Sequence, residues 1–245
     1  MKSVTLVVLM VVGAISRAFG QHSHEHAGQN PDSSRMVGEA DAAMSGPMST
    51  NAMKHLELST ARTATHADSA RAMEIVTQLR SALAKYTDTA AAVADGYRMF
   101  APQIKQQRVY HFTNYKNAFM AGFRFDPAKP TSILYQRARD GTLKLVGAMY
   151  TAPKRADVNE LNARVPLSIA RWHKHVKWCV PKLGHANRWL ERRDSMPVFG
   201  PESPIDTRAE CRKVGGMFFA SPMGWMIHAN VFAGDDLATI FAHEH

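Results

Sequence analysis

The sequence predicts an α+β fold: a mainly antiparallel β-sheet or small barrel, with an N-terminal helical hairpin and a short C-terminal helix. Three observations predict it. Apolar residues recur at three- and four-residue steps between Thr65 and Tyr86, the period of a helix with one buried face. From Val109 onward, short runs rich in β-branched and aromatic residues, bounded by Gly, Pro and Asp, read mainly as strands. The connections between these runs are mostly short, and strands joined by short hairpins form antiparallel sheets with helices gathered to one side.

The first twenty residues read as a signal peptide. Lys2 gives a positive start, Val4 to Ile15 is a short apolar run, and Ala18-Phe19-Gly20 is a small-x-small cleavage site. Residues 21–58 read as a disordered tail, rich in Gly, Ser, Asn, Asp and Ala. Residues 59–245 then read as a single globular domain. His22, His24 and His26 alternate just after the cleavage site; Met36, Met44, Met48 and Met53 follow, with His55 close behind. Imidazole suits Cu(II), Zn and Ni, and thioether suits Cu(I), so this tail reads either as a copper collector or as a solvated linker.

Within the domain, Thr65 or Asp68 caps the first helix, whose stripe is Ile75, Val76, Leu79, Leu83 and Tyr86. Ala90 to Asp95 makes a second helix, stopped by Gly96. Val109 to Tyr115 is a strand, with His111, Thr113 and Tyr115 on one face and Tyr110, Phe112 and Asn114 on the other. Asp126 to Pro130 is a turn-rich bridge. Ile133 to Ala138 and Leu143 to Thr151 form a hairpin around Asp140-Gly141, a dipeptide suited to a type I′ turn. Ala156 to Arg164 is a short helix.

Trp172 to Cys179 reads as one continuous strand, with His173, His175, Lys177 and Cys179 on one face. A loop with about one helical turn runs from Pro181 to Glu210. Met217 to Ala220 and Trp225 to Phe232 are two further strands. Asp235 or Asp236 caps a last helix, Leu237 to Ala242.

Formal charge is +9, from 30 Lys and Arg against 21 Asp and Glu; loss of Lys2 and Arg17 with the leader leaves +7. The basic residues are dispersed, so no nucleic acid is expected as partner. Nor is stable membrane insertion, once the leader is cleaved. A protein partner is not readable from the sequence. The two cysteines, Cys179 and Cys211, read as a disulfide in an oxidising compartment, periplasmic or extracellular, stabilising the fold by about 3–4 kcal/mol. The alternative is a thiolate ligand or a buried thiol.

Histidines carry the chemistry. His173 and His175 stand at i and i+2, where two imidazoles on one strand face can grip one ion. His228 and His111 sit mid-strand elsewhere and complete a candidate metal set of His173, His175, His228 and His111. His185, in the loop, is a weaker candidate, as are the carboxylates of Glu202, Asp206 and Glu210 near Cys211. The cofactor expected is one transition metal ion, Cu or Zn, with Fe as a further candidate. No Gly-x-Ser-x-Gly elbow and no phosphate-cradling glycine loop is present.

Two resemblances add to this. His173 and His175, with Gly216, Pro222, Gly224, His228 and Asn230, resemble the two metal motifs of cupins, although Cys179 stands near the place of the cupin glutamate. That resemblance implies a metal-dependent enzyme, an oxygenase or isomerase, acting on a small molecule. Leu83-Ala-Lys-Tyr86 with Asp88, Ala94-Asp-Gly-Tyr97, His111-Phe-Thr, Pro130 to Tyr135 and Leu145-Val-Gly147 together resemble a family of uncharacterised exported bacterial proteins, in which a His, a Trp and a downstream Cys recur as His175, Trp178 and Cys211 do here. That resemblance implies export and a single domain. Three functional expectations follow: a metal-binding protein, a cupin-like enzyme, or a metal-free, disulfide-stapled envelope interaction domain.

Overall fold

The structure, a computed structural model, describes residues 50–242 apart from 101, 103–106 and 108. The leader, His22, His24, His26, Met36, Met44, Met48 and the terminal His-Glu-His lie outside the described residues. The fold is α+β, as expected. Among the described residues are seven helices, a seven-stranded sheet and two small two-stranded sheets. No described helix is long and apolar enough to cross a membrane.

The chain divides into two compact units where the sequence reads one domain. Among the described residues, the larger holds those of Glu57–Lys174 and those from Met223 onward; the smaller holds those up to Leu56 together with His175–Pro222. The expected tail also ends earlier than Leu58. Thr50–Lys54 is a helix (α1) and Leu56–Leu58 a strand (β1).

In the larger unit, α2 (His66–Leu83) forms where the stripe predicts it. Thr65 and Asp68 close a capping box, each side chain accepting the other's backbone N–H at 3.2 Å. The helix buries Ala72, Ile75, Val76, Leu79 and Leu83. α3 (Thr89–Ala94) starts at Asp88, whose carboxylate accepts the Ala90 N–H, and is followed by Gly96 at φ +87°.

The sheet runs in the order β1-β6-β11-β5-β4-β3-β2. Its strands are β2 (Arg98–Met99), β3 (Tyr110–Thr113), β4 (Ser132–Arg137), β5 (Leu143–Ala152), β6 (His173–His175) and β11 (Trp225–Ala229), besides β1. β3 stops at Thr113, two residues short of expectation. Asn114 accepts the Asn117 N–H there and starts α4 (Tyr115–Met120). The β4–β5 hairpin is present, but its turn is not type I′. Such a turn needs positive φ at both central residues, and at Asp140-Gly141 only Gly141 has it, at +86°.

One face of this sheet carries the main core: Tyr110, Phe112, Ile133, Tyr135, Tyr150 and Ile227 pack with the α2 stripe. α5 (Val158–Arg164) joins that core through Leu161. α7 (Leu237–Ile240) joins it through Ile240, after Asp236 accepts the Thr239 N–H.

The expected strand Trp172–Cys179 is broken. β6 ends at His175 and β7 (Trp178–Val180) begins three residues later. Between them Lys177 lies in the left-handed region, at φ +58°, so the alternation does not carry through to Cys179.

In the smaller unit, β7 pairs with β10 (Met217–Phe219). β8 (Arg192–Arg193) pairs with β9 (Met196–Pro197) across Asp194 and Ser195, both at positive φ. α6 (Arg208–Lys213) occupies what reads as loop in the sequence; Thr207 accepts the Glu210 N–H to start it. It delivers Cys211 to Cys179, and the expected disulfide forms across 32 residues of sequence. Val198 and Phe199 pack against it.

Candidate metal centre

The face of the sheet turned away from the main core carries the candidate histidines of the larger unit. Strand pairing sets their neighbours. His111 on β3 lies opposite Leu134 on β4, which lies opposite Gly147 on β5. His228 on β11 lies opposite Met149 on β5, and His173 on β6 lies opposite Met226 on β11. Because side chains alternate along a strand, all these positions share one face. Leu134, Met149 and Met226 form a small apolar cluster on it.

β3 and β11 are three strand steps apart, which on a flat sheet separates Cα atoms by roughly 14 Å. Yet the His111 and His228 rings lie 5.4 Å apart between centroids, and their Nε2 atoms 3.5 Å apart. The sheet therefore curls toward this face. Gly147 allows the curl. A β-carbon there would stand 2.1 Å from the Ala229 carbonyl oxygen and 2.8 Å from the Asn230 Cα, so only glycine lets the end of β11 bend across β5. A register shift in β4 between Leu134 and Tyr135 falls beside it.

The third ring follows. His173, 1 % exposed, packs edge-on to His228 with centroids 5.4 Å apart. Three imidazoles from three strands thus meet around His228.

Their chemistry can be read atom by atom. His111 Nδ1 lies 3.2 Å from the Val109 carbonyl oxygen, which can only accept. Nδ1 therefore carries the proton, and Nε2 turns its lone pair toward His228. A backbone carbonyl on the far nitrogen is the usual orienting partner of a metal-bound histidine. The 3.5 Å between the two Nε2 atoms is long for a hydrogen bond. It is close to the roughly 3.4 Å edge of a tetrahedron of nitrogens about 2.05 Å from a central ion. Burial pushes the His111 imidazole down to about 4, against a smaller opposing effect of the Val109 carbonyl. At neutral pH the ring is in its ligand form. As the side chains lie, no group of three His, Cys, Asp or Glu among the described residues is arranged to hold an ion. The imidazole pair is in place, and the third ring stands edge-on beside it.

The other candidates fall elsewhere. His175 belongs to the smaller unit, where its ring lies 4.9 Å from Trp178. His185 is exposed, with Nδ1 3.2 Å from the Leu183 carbonyl oxygen. Glu202, Asp206 and Glu210 belong to the smaller unit, where Glu210 accepts the Thr207 hydroxyl. His55 is fully buried, with Nε2 donating to the Ser203 carbonyl at 2.7 Å and Nδ1 3.2 Å from the Val176 carbonyl. It is part of the smaller unit's interior, not of a metal-collecting tail.

Tyr110, Trp172 and Trp225, the large aromatic residues close in sequence to the candidate histidines, are buried in the main core. A cavity of about 360 Å³ in the larger unit is lined by Asp95, Asn117, Arg124, Asp126 and Tyr150, and by none of the candidate histidines. The sequence reading gave Met149 and Gly147 no place at this site. The signal was the parity of β5, which puts both on the face of Thr151 and across from β11.

Compared with protein families, with curated proteins and with solved structures, the chain matches none.

Proposed function

We propose that this chain is an exported metal-binding protein that holds one transition metal, Cu or Zn, on the curled face of its main sheet. His111, His173 and His228 are the ligands. The observation that carries this reading is the 3.5 Å spacing of the His111 and His228 Nε2 atoms, with the His173 ring packed against the second of them. The contact stands at the outer limit of a hydrogen bond, and the Val109 carbonyl on Nδ1 leaves the His111 Nε2 lone pair facing His228, the orientation a shared ion needs. Export is supported by the leader-like first twenty residues and by the Cys179–Cys211 disulfide, a bond that persists in oxidising compartments.

Three imidazoles leave a coordination position open, which is what a water-bearing catalytic centre needs. The 360 Å³ cavity is lined by none of these histidines, and Tyr110, Trp172 and Trp225 are buried in the main core, so neither feature supports that enzymatic reading. Binding is therefore the better-supported role.

Elemental analysis of the full chain, purified after export, tests the proposal against His111→Gln/His228→Gln. The proposal expects one metal equivalent fewer in the variant, with thermal unfolding still cooperative. Equal metal content in both proteins would leave the tail as the holder and the face as packing.

A further inference from the structure

We propose that the ion taken by this face is copper(I), and that the thioethers of Met149 and Met226 complete its coordination. The inference rests on the reading of His111, His173 and His228 as ligands and names the metal they serve.

The register makes the case. Met149 is the direct cross-strand neighbour of His228, and Met226 that of His173. Directly opposed residues hold their Cβ atoms about 4.5–5.5 Å apart. Each methionine is long enough to bring its sulfur beside its neighbour's ring. Two His–Met pairs therefore flank the point toward which His111 turns its Nε2. Both methionines are buried, at 8 % and 6 % exposure, in one apolar cluster with Leu134.

Donor chemistry then selects the ion. Imidazole serves zinc and both copper states, whereas the soft thioether favours Cu(I). Charge selects in the same direction. The described residues that pairing places among the histidines, Thr113, Ser132, Leu134, Met149 and Thr151, are all uncharged. His111 and His228 are half-buried and His173 fully buried, so a divalent ion held there by neutral ligands would carry two partly desolvated, uncompensated charges, and a monovalent ion only one. Desolvation cost rises steeply with charge, so the apolar surround supplied by Leu134 and the two methionines favours the lower charge.

The test uses the full mature protein, wild type beside Met149→Leu/Met226→Leu and beside His111→Gln/His228→Gln. All three share the same N-terminal histidines and methionines, so differences report the sheet face. Methionine to leucine conserves volume, and thermal unfolding checks that the variant folds. Cu(I), kept reduced under anaerobic ascorbate, is titrated against bicinchoninate; Zn(II) is titrated in parallel against a chromophoric chelator. The leucine variant is expected to lose Cu(I) affinity by roughly tenfold or more, a scale that loss of a partner outside the ligand sphere already reaches. Its Zn(II) affinity should stay within about twofold, since the imidazoles remain. X-ray absorption on the Cu(I) protein should show sulfur scattering that falls in the same variant.

Unchanged Cu(I) affinity in the leucine variant, with loss of metal in the glutamine variant, would overturn the thioether proposal and leave the imidazole site standing. Unchanged affinities in both variants would overturn both.

Discussion

Gly147 and Ala229 approach so closely that a β-carbon on the glycine would lie 2.1 Å from the Ala229 carbonyl oxygen. The obstacle is backbone on two paired strands, so no side chain can swing aside. Gly147→Ala is expected to push β11 off β5, costing roughly 1–3 kcal/mol on the scale of overpacked cores. The same shift separates His228 from His111. Denaturant unfolding should show a lower midpoint, and metal affinity should fall with it. Wild-type stability in this variant would mean that the curl does not depend on the close approach.

The Thr65–Asp68 capping box gives a test that is independent of any ligand. Thr65→Ala removes one helix cap and is expected to cost about 1 kcal/mol. The Thr65 hydroxyl, opposed by desolvation and joined by the Ser168 hydroxyl, the Thr65 amide and the Arg71 charge, holds the Asp68 carboxyl below its usual value. A carboxyl lowered in the folded state stabilises above its unfolded pKa, and that contribution fades as pH falls through the folded value. The melting difference between wild type and Thr65→Ala should be flat from pH 7 to 5 and shrink below about pH 4. A difference that grows on acidification would be inconsistent with the box.

Much of this fold is legible in the sequence because local signals agree with their surroundings. The α2 stripe, the β4–β5 hairpin and β11 all carry a clean period and a cap or turn. What failed did so where one residue outweighs a pattern. Lys177 at positive φ breaks an alternation that otherwise runs from Trp172 to Cys179, and Asn114 converts the end of a strand into a helix start. The two glycine-free central positions of the β8–β9 turn, Asp194 and Ser195, gave no turn-type signal, while Asp140-Gly141 gave one that the backbone does not follow. The site was half legible. His173 and His228 stand out as strand histidines, but meeting His111 across three strand steps depends on the curl at Gly147, which a linear pattern does not encode.

Cys179 and Cys211 tie β7 to α6 in a unit with few other buried apolar side chains, chiefly Val198 and Phe199. A cross-link closing a loop of this size is worth about 3–4 kcal/mol in the chain-entropy model. Cys179→Ser/Cys211→Ser, or reduction with the chain intact, should unfold the smaller unit at lower denaturant. Gly216 gives a partner test: a β-carbon there would lie 2.6 Å from the Cys179 sulfur and 2.9 Å from that of Cys211. Gly216→Ala should therefore crowd the bond and the Phe199 ring 2.8 Å away and lower the midpoint too, and an unperturbed midpoint in the cysteine variant would remove the disulfide as the unit's main staple.

His55 anchors the first described segment to that same unit, its ring set between the carbonyls of Val176 and Ser203. His55→Leu leaves the Ser203 carbonyl without its 2.7 Å donor and is expected to cost about 1–3 kcal/mol. A truncation beginning at Ser59 removes the same contact along with α1 and β1, and should melt lower than one beginning at Thr50. Equal melting of the two truncations would return residues 50–58 to the status of a dispensable tail.

Thermal shift separates the proposed sheet site from metal held by the N-terminal histidines. His111, His173 and His228 come from strands far apart in sequence, so an unfolded chain cannot present them together. An ion bound to that set binds the native state alone and stabilises it, by about 2.7 kcal/mol at a free concentration one hundred times its dissociation constant. His22, His24 and His26 are neighbours in sequence and offer the same ligands whether or not the domain is folded. Metal held there leaves the melting temperature where it was. Wild type should therefore melt higher with added Cu(I), and His111→Gln/His228→Gln should not. Should both proteins bind copper with neither one melting higher, the ion is on the tail and the three histidines of the sheet are packing.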